Sequence, residues 1–163
     1  MDLIQLKEIL HQHSLWLKDP KEGKRADLSG VNLSGAFLYG TVLSRADLNR
    51  AVLNEADLRR AVLNEADLNE AVLSGVDLSG ADLRRAVLSR ADLSGAFLNE
   101  ADLSGVDLYE ADLNGAVLNG AKFTVELRDV KNVEGIKYDS EQFSWLSLNP
   151  VFLGSVKIPT SMG

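Results

Sequence analysis

The sequence predicts an all-β solenoid, and three observations carry that expectation. From Ala26 to Gly120 the chain is nineteen uninterrupted five-residue units, each centred on a leucine, from Leu28 to Leu118. Two residues before these leucines stands Ala in fifteen units, Val at 31, 76 and 106, and Thr at 41. Hydrophobic residues make up 45% of the chain and aromatics only 6%, so the core is built of Leu, Ala and Val.

Residues 1–25 read as a capping helix and a turn. Asp2 is a candidate N-cap, and Leu3, Leu6, Ile9, Leu10 and Leu17 fall near helical spacing as far as Lys18. Asp19-Pro20 breaks the helix, and Lys21 to Arg25 form a basic turn. A stack of coils leaves its core open at each end, so the helix is expected to lie across the first coil, with Leu6 and Leu10 as cap residues.

Residues 26–123 form the body. A period of five fits neither common element. On a helix, at about 100° per residue, successive leucines turn by roughly 140° and decorate every side. On a flat strand an odd spacing sends alternate leucines to opposite faces. Bending the chain once per unit keeps every leucine inward, and short strands then stack on those of the next coil about 4.8 Å away. Leu28, Leu48, Leu68, Leu73, Leu78, Leu88 and Leu108 represent this inner column, and Phe123 continues its register. Gly, Asn and Ser after each Leu suit tight bends.

Units such as ADLSG, VNLSG and ADLNR follow an A(D/N)LXX pattern that resembles the pentapeptide repeat proteins. The resemblance implies a right-handed quadrilateral β-helix with four units per coil, hence about five coils and a rod of roughly 24 Å. The number four and the hand come from the resemblance. Reading the last position of each unit at steps of twenty then gives one column of Gly30, Arg50, Glu70, Arg90 and Glu110, and another of Arg45, Glu65, Arg85 and Gly105. Opposite charges fall one coil apart, as register-fixing surface pairs.

In residues 124–163 the register is expected to dissolve into an irregular last coil carrying Leu127, Val130, Val133 and Ile136. Asp139, with Gln142 three residues on, marks a short capping helix over 140–146. Phe143 and Trp145 head an apolar tail that reads as a plug on the last coil, in a monomer. Dimerisation through that plug, as in some family members, is the alternative.

Composition narrows the function. A net charge of −7 argues against direct nucleic-acid binding, which needs a basic face. The absence of cysteine removes disulfides, thiol catalysis and zinc-thiolate sites. The N-terminus lacks a secretory pattern and no apolar run reaches membrane-spanning length, so a cytoplasmic protein is expected. His11 and His13, two apart on a helix, point different ways and read as solvated surface. Ten aspartates directly precede a repeat leucine, at 27, 47, 57, 67, 77, 82, 92, 102, 107 and 112, and read as a solvated face that lacks the converging oxygens a hard cation wants. No catalytic, cofactor or metal residues are assigned.

Phe37, Tyr39, Val42, Val52, Val62, Val72 and Phe97 are outward apolar residues, and form the candidate interaction surface. Val42 and Val62 are expected to stack on one face, Val52 and Val72 on the opposite one, and Phe37 and Phe97 to share a third. The expected function is a non-catalytic scaffold for an unidentified protein partner. The alternative implied by the resemblance is an acidic DNA mimic acting on DNA gyrase. Duplex DNA carries about fourteen charges over such a rod. Residues 26–125 carry fifteen acidic and eight basic residues, half that net density.

Overall fold

The computed structural model describes residues 1–123 and 130–138. Asp2 caps helix α1 (Leu3–Lys18), accepting from the Gln5 N–H while the Gln5 side chain accepts from the Asp2 N–H. After α1 the chain turns through residues 19–25 and enters the first coil at Ala26. Gly23 allows this entry: a Cβ there would lie 2.2 Å from the Gln12 carbonyl oxygen and 2.7 Å from the Trp16 nitrogen. The Lys24 N–H donates to that same Gln12 carbonyl.

From Ala26 onward each unit makes one side of a coil. Its residue before Leu pairs, parallel, with the residue twenty positions on: Asp27 with Asp47, Val52 with Val72, Asp92 with Asp112. Five residues per side and twenty per coil give four sides, so the body is a quadrilateral parallel β-helix. Among the described residues, regular strand is confined to β1 (Asp102–Leu103) and β2 (Lys122–Phe123), which pair in parallel. Elsewhere the straight stretch between two bends is too short to count as more than an isolated bridge.

The unit 47–51 shows why the backbone is satisfied. The Asp47 N–H donates to Ala26 one coil back, while Leu48 and Arg50 donate to Asp67 and Asn69 one coil ahead. The Ala51 N–H closes the corner on the Leu48 carbonyl, and the Asn49 N–H is taken by the Asp47 side chain at 3.1 Å. Each corner residue lies in the left-handed region, from Gly30 at φ 64° to Glu110 at φ 55°.

All nineteen repeat leucines are buried, none more than 6% exposed. The small residues two before them are buried too, except Val31, Ala36 and Thr41 of the first coil, which are partly buried. α1 closes the first coil through Leu6, which is buried, and Ile9 and Leu10, which pack partly buried against the same core. Leu3 does not join them; it is 65% exposed on the outer side of the helix.

The expected loss of register after Phe123 is corrected by the structure. Asn132 and Lys137 pair with Asp112 and Val117 at the same interval of twenty, and Val133 is buried where a repeat leucine would stand. At these positions the consensus is lost and the interval of twenty is kept. The expected helix over 140–146, with Phe143 and Trp145, lies outside the described residues.

Candidate functional site

The outward positions fall into four walls. On one wall Phe37, Asp57, Asp77 and Phe97 succeed one another coil by coil. Phe37 is 91% exposed, and Tyr39 beside it is 53% exposed with the Arg59 guanidinium 5.6 Å from its ring centroid. Arg59 is anchored by Asp57, whose oxygens accept from Nε at 2.8 Å and from Nη2 at 2.7 Å. This pair holds the Asp57 carboxyl below the usual aspartate range and pushes the guanidinium up. Phe97 lies three coils from Phe37, about 14 Å, so the two do not form one patch.

Round the next corner Val42 stacks on Val62, and on the wall opposite Val52 stacks on Val72, as expected. Val42 is exposed, whereas Val52, Val62 and Val72 are half-buried between their neighbours. The most accessible part of the candidate surface is therefore Phe37, Tyr39 and Val42, all in the first coil. Leu3 and Ile4 of α1 are likewise exposed.

The charged columns stand as the interval of twenty predicts. Arg50 donates to Glu70 at 2.8 Å, Arg90 to Glu110 at 2.9 Å and Arg45 to Glu65 at 3.1 Å, with Arg85 3.6 Å from Glu65 on the other side. In the Arg50–Glu70 and Arg90–Glu110 pairs the arginine holds the glutamate carboxyl below its usual range. These pairs are solvent-exposed, so they fix register more than they add stability.

Two readings of single residues are corrected. The aspartates before Leu are not a merely solvated face: all ten accept the backbone N–H two residues on, from Ser29 at 3.1 Å to Asn114 at 2.9 Å. A short acceptor two residues before a bend makes this turn, and the Asp-x-x spacing was the signal. His13 is not surface either. It is fully buried under α1, its Nδ1 accepts the Ala26 N–H at 3.1 Å, and its ring stacks on Trp16 at 5.6 Å. His11 is exposed, as expected.

Beside His13, Glu8, Ile9, Gln12, Lys24, Arg25 and Asp27 line an open cleft of about 460 Å³ between α1 and the first coil. Its charges are mixed and it holds no nucleophile with an adjacent base. Among the described residues no group of His, Asp or Glu is arranged to hold a metal ion, and no helix is long and apolar enough to cross a membrane.

The family model for pentapeptide repeats matches residues 26–64, 51–90 and 86–124. The chain belongs to the pentapeptide repeat family. A pentapeptide repeat protein from the Arabidopsis thaliana thylakoid lumen is 32% identical over 74% of this chain and 77% of its own, with a TM-score of 0.58. HetL, from the cyanobacterium Nostoc, is described as involved in heterocyst differentiation regulation; it is 30% identical over 70% of this chain and 60% of its own, at a TM-score of 0.39. Rfr23, a pentapeptide repeat protein of the cyanobacterium Cyanothece, is 27% identical over 80% of this chain and 96% of its own, at 0.37. Among curated proteins none matches the chain. The right-handed quadrilateral β-helix is the fold of this family, and the likeness to the Arabidopsis structure supports it here.

Proposed function

We propose that this right-handed quadrilateral β-helix is a non-catalytic, cytoplasmic scaffold that presents its first coil to a protein partner. The observation that carries the reading is Phe37. It stands 91% exposed, more than any other large apolar side chain among the described residues, with Tyr39 beside it and Val42 round the corner. Flat walls held by a repeating hydrogen-bond frame present such residues without ordering cost on binding, which favours a recognition role. Aromatic anchors of this kind dominate interface energetics.

The test is affinity capture from the source cell with the parent chain and with a Phe37→Ser, Tyr39→Ser double variant. Loss of a captured protein in the variant, at unchanged far-UV circular dichroism, supports the reading. Capture that ignores the two substitutions refutes this surface. Against the gyrase-directed alternative, Arg59 and Arg84 each clamp an aspartate on their own wall, at 2.7 and 2.6 Å, which dilutes any DNA-like acidity. A gyrase supercoiling assay unaffected by micromolar protein retires that alternative.

A further inference from the structure

α1 is joined to the β-helix differently from any other part of the chain. Every coil below it is held by a repeating set of backbone bonds. Between α1 side chains and the coils, one hydrogen bond is formed among the described residues: the Ala26 N–H to His13 Nδ1, at 3.1 Å. That bond has a chemical condition. A histidine nitrogen accepts only when it carries no proton, so His13 must be neutral with its proton on Nε2. Nε2 is buried toward the Ser44 carbonyl without a well-formed hydrogen bond.

We propose that His13 is an acid-sensitive latch, which docks α1 on the first coil while neutral and releases it once protonated. A proton on Nδ1 would set two donors, Nδ1–H and the Ala26 N–H, against each other in a site closed to water. The charge would also have no carboxylate partner. From the turn, Arg25 adds a second positive charge to the same junction. Glu8 of α1, with Lys24 and Asp27, lines the adjacent cleft, and neither carboxylate is bonded to the ring. Burial, the largest effect, and Arg25 hold the imidazole below its ordinary value of 6.5, while the Ser44 carbonyl opposes them in part.

The detached helix therefore takes up a proton more readily than the docked one. Docking is strongest above pH 6.5 and weakens as pH falls through that value toward the lowered one of the docked state. Between pH 7.5 and 5.0 the opening constant of α1 rises by up to about thirtyfold.

Hydrogen–deuterium exchange of the full chain, corrected for intrinsic rates at each pH, reads this directly. Protection of α1 amides is expected to fall at pH 5.0, by up to about thirtyfold, with residues 46–118 unchanged. His13→Asn keeps an acceptor near the Nδ1 position without titrating, so its α1 is expected to be equally protected at both values. His11→Gln is expected to behave as the parent. A parent whose α1 protection ignores pH, or a His13→Asn chain that loses it as the parent does, overturns the latch. Should His13→Asn fail to dock α1 at pH 7.5, Arg25→Gln decides. A smaller acid response there supports the latch, and an undiminished one overturns it.

Discussion

The body of the β-helix and its N-terminal end solve the same problem by opposite means. Both must bury leucine and satisfy backbone groups. The body does so by repetition: Leu48, Leu68 and Leu88 sit in identical surroundings, each with a carbonyl one coil ahead as acceptor at 2.7 or 2.8 Å. The end does so once, with parts that occur nowhere else: Leu6, the stacked pair His13 and Trp16, and a glycine pressed against a helix carbonyl. Damage to a repeated part propagates to its neighbours in the stack, whereas damage to a unique part stays where it is.

The largest test of that contrast is Leu73→Lys. Leu73 is 0% exposed in the middle of the column, so a charge there has no partner and no exit. Cooperative unfolding followed by circular dichroism is expected to disappear; a melt like the parent's would refute the inward column. Gly23→Ala is the counterpart at the end. Its Cβ meets backbone at 2.2 Å, and such overpacking costs about 1–3 kcal/mol. Proteolysis is expected to remove α1 while the body keeps its melting temperature. The smallest effect belongs to Asp67. Asp67→Ala removes the acceptor for the Asn69 N–H, at about 1 kcal/mol, or a fall of roughly 2–4 °C in melting temperature. Asp67→Asn keeps the acceptor and relieves repulsion from the paired Asp47, so its melting temperature is expected to equal or exceed the parent's.

The same contrast governs what could be read without coordinates. Nineteen copies of one pattern over-determine the body, so the inward leucines follow from spacing. The four units per coil, and with them the Val42–Val62 and Val52–Val72 stacks and the Arg50–Glu70 pair, needed a resemblance, because a period of five fixes the corner but not how many corners close a turn. At the end there is one copy of everything. Asp2 and the extent of α1 were legible because capping has a local signature. The burial of His13 was not, since it depends on Ala26 and Ser44 arriving from other elements. Leu3 misled for the converse reason: helical spacing marks a face but not where that face runs off the edge of the coil beneath it. The ten aspartates were found as a pattern and misread as to cause, because a charge was weighed where a hydrogen-bond acceptor was at work. Phe37 and Tyr39 were legible as outward residues, but their prominence over the valines depends on the stack, which shelters Val52, Val62 and Val72 and leaves the first coil bare.

The interval of twenty turns distance along the chain into an angle around the rod. An insertion of five residues after Gly75 would rotate everything downstream by a quarter turn and leave every leucine inside. Glu70 would then look onto Arg85 and not Arg90, and Val72 onto Val87 and not Asp92. An insertion of twenty would lengthen the rod by one storey and change no wall. Such a chain can be extended or re-faced by duplication alone, without redesigning its interior.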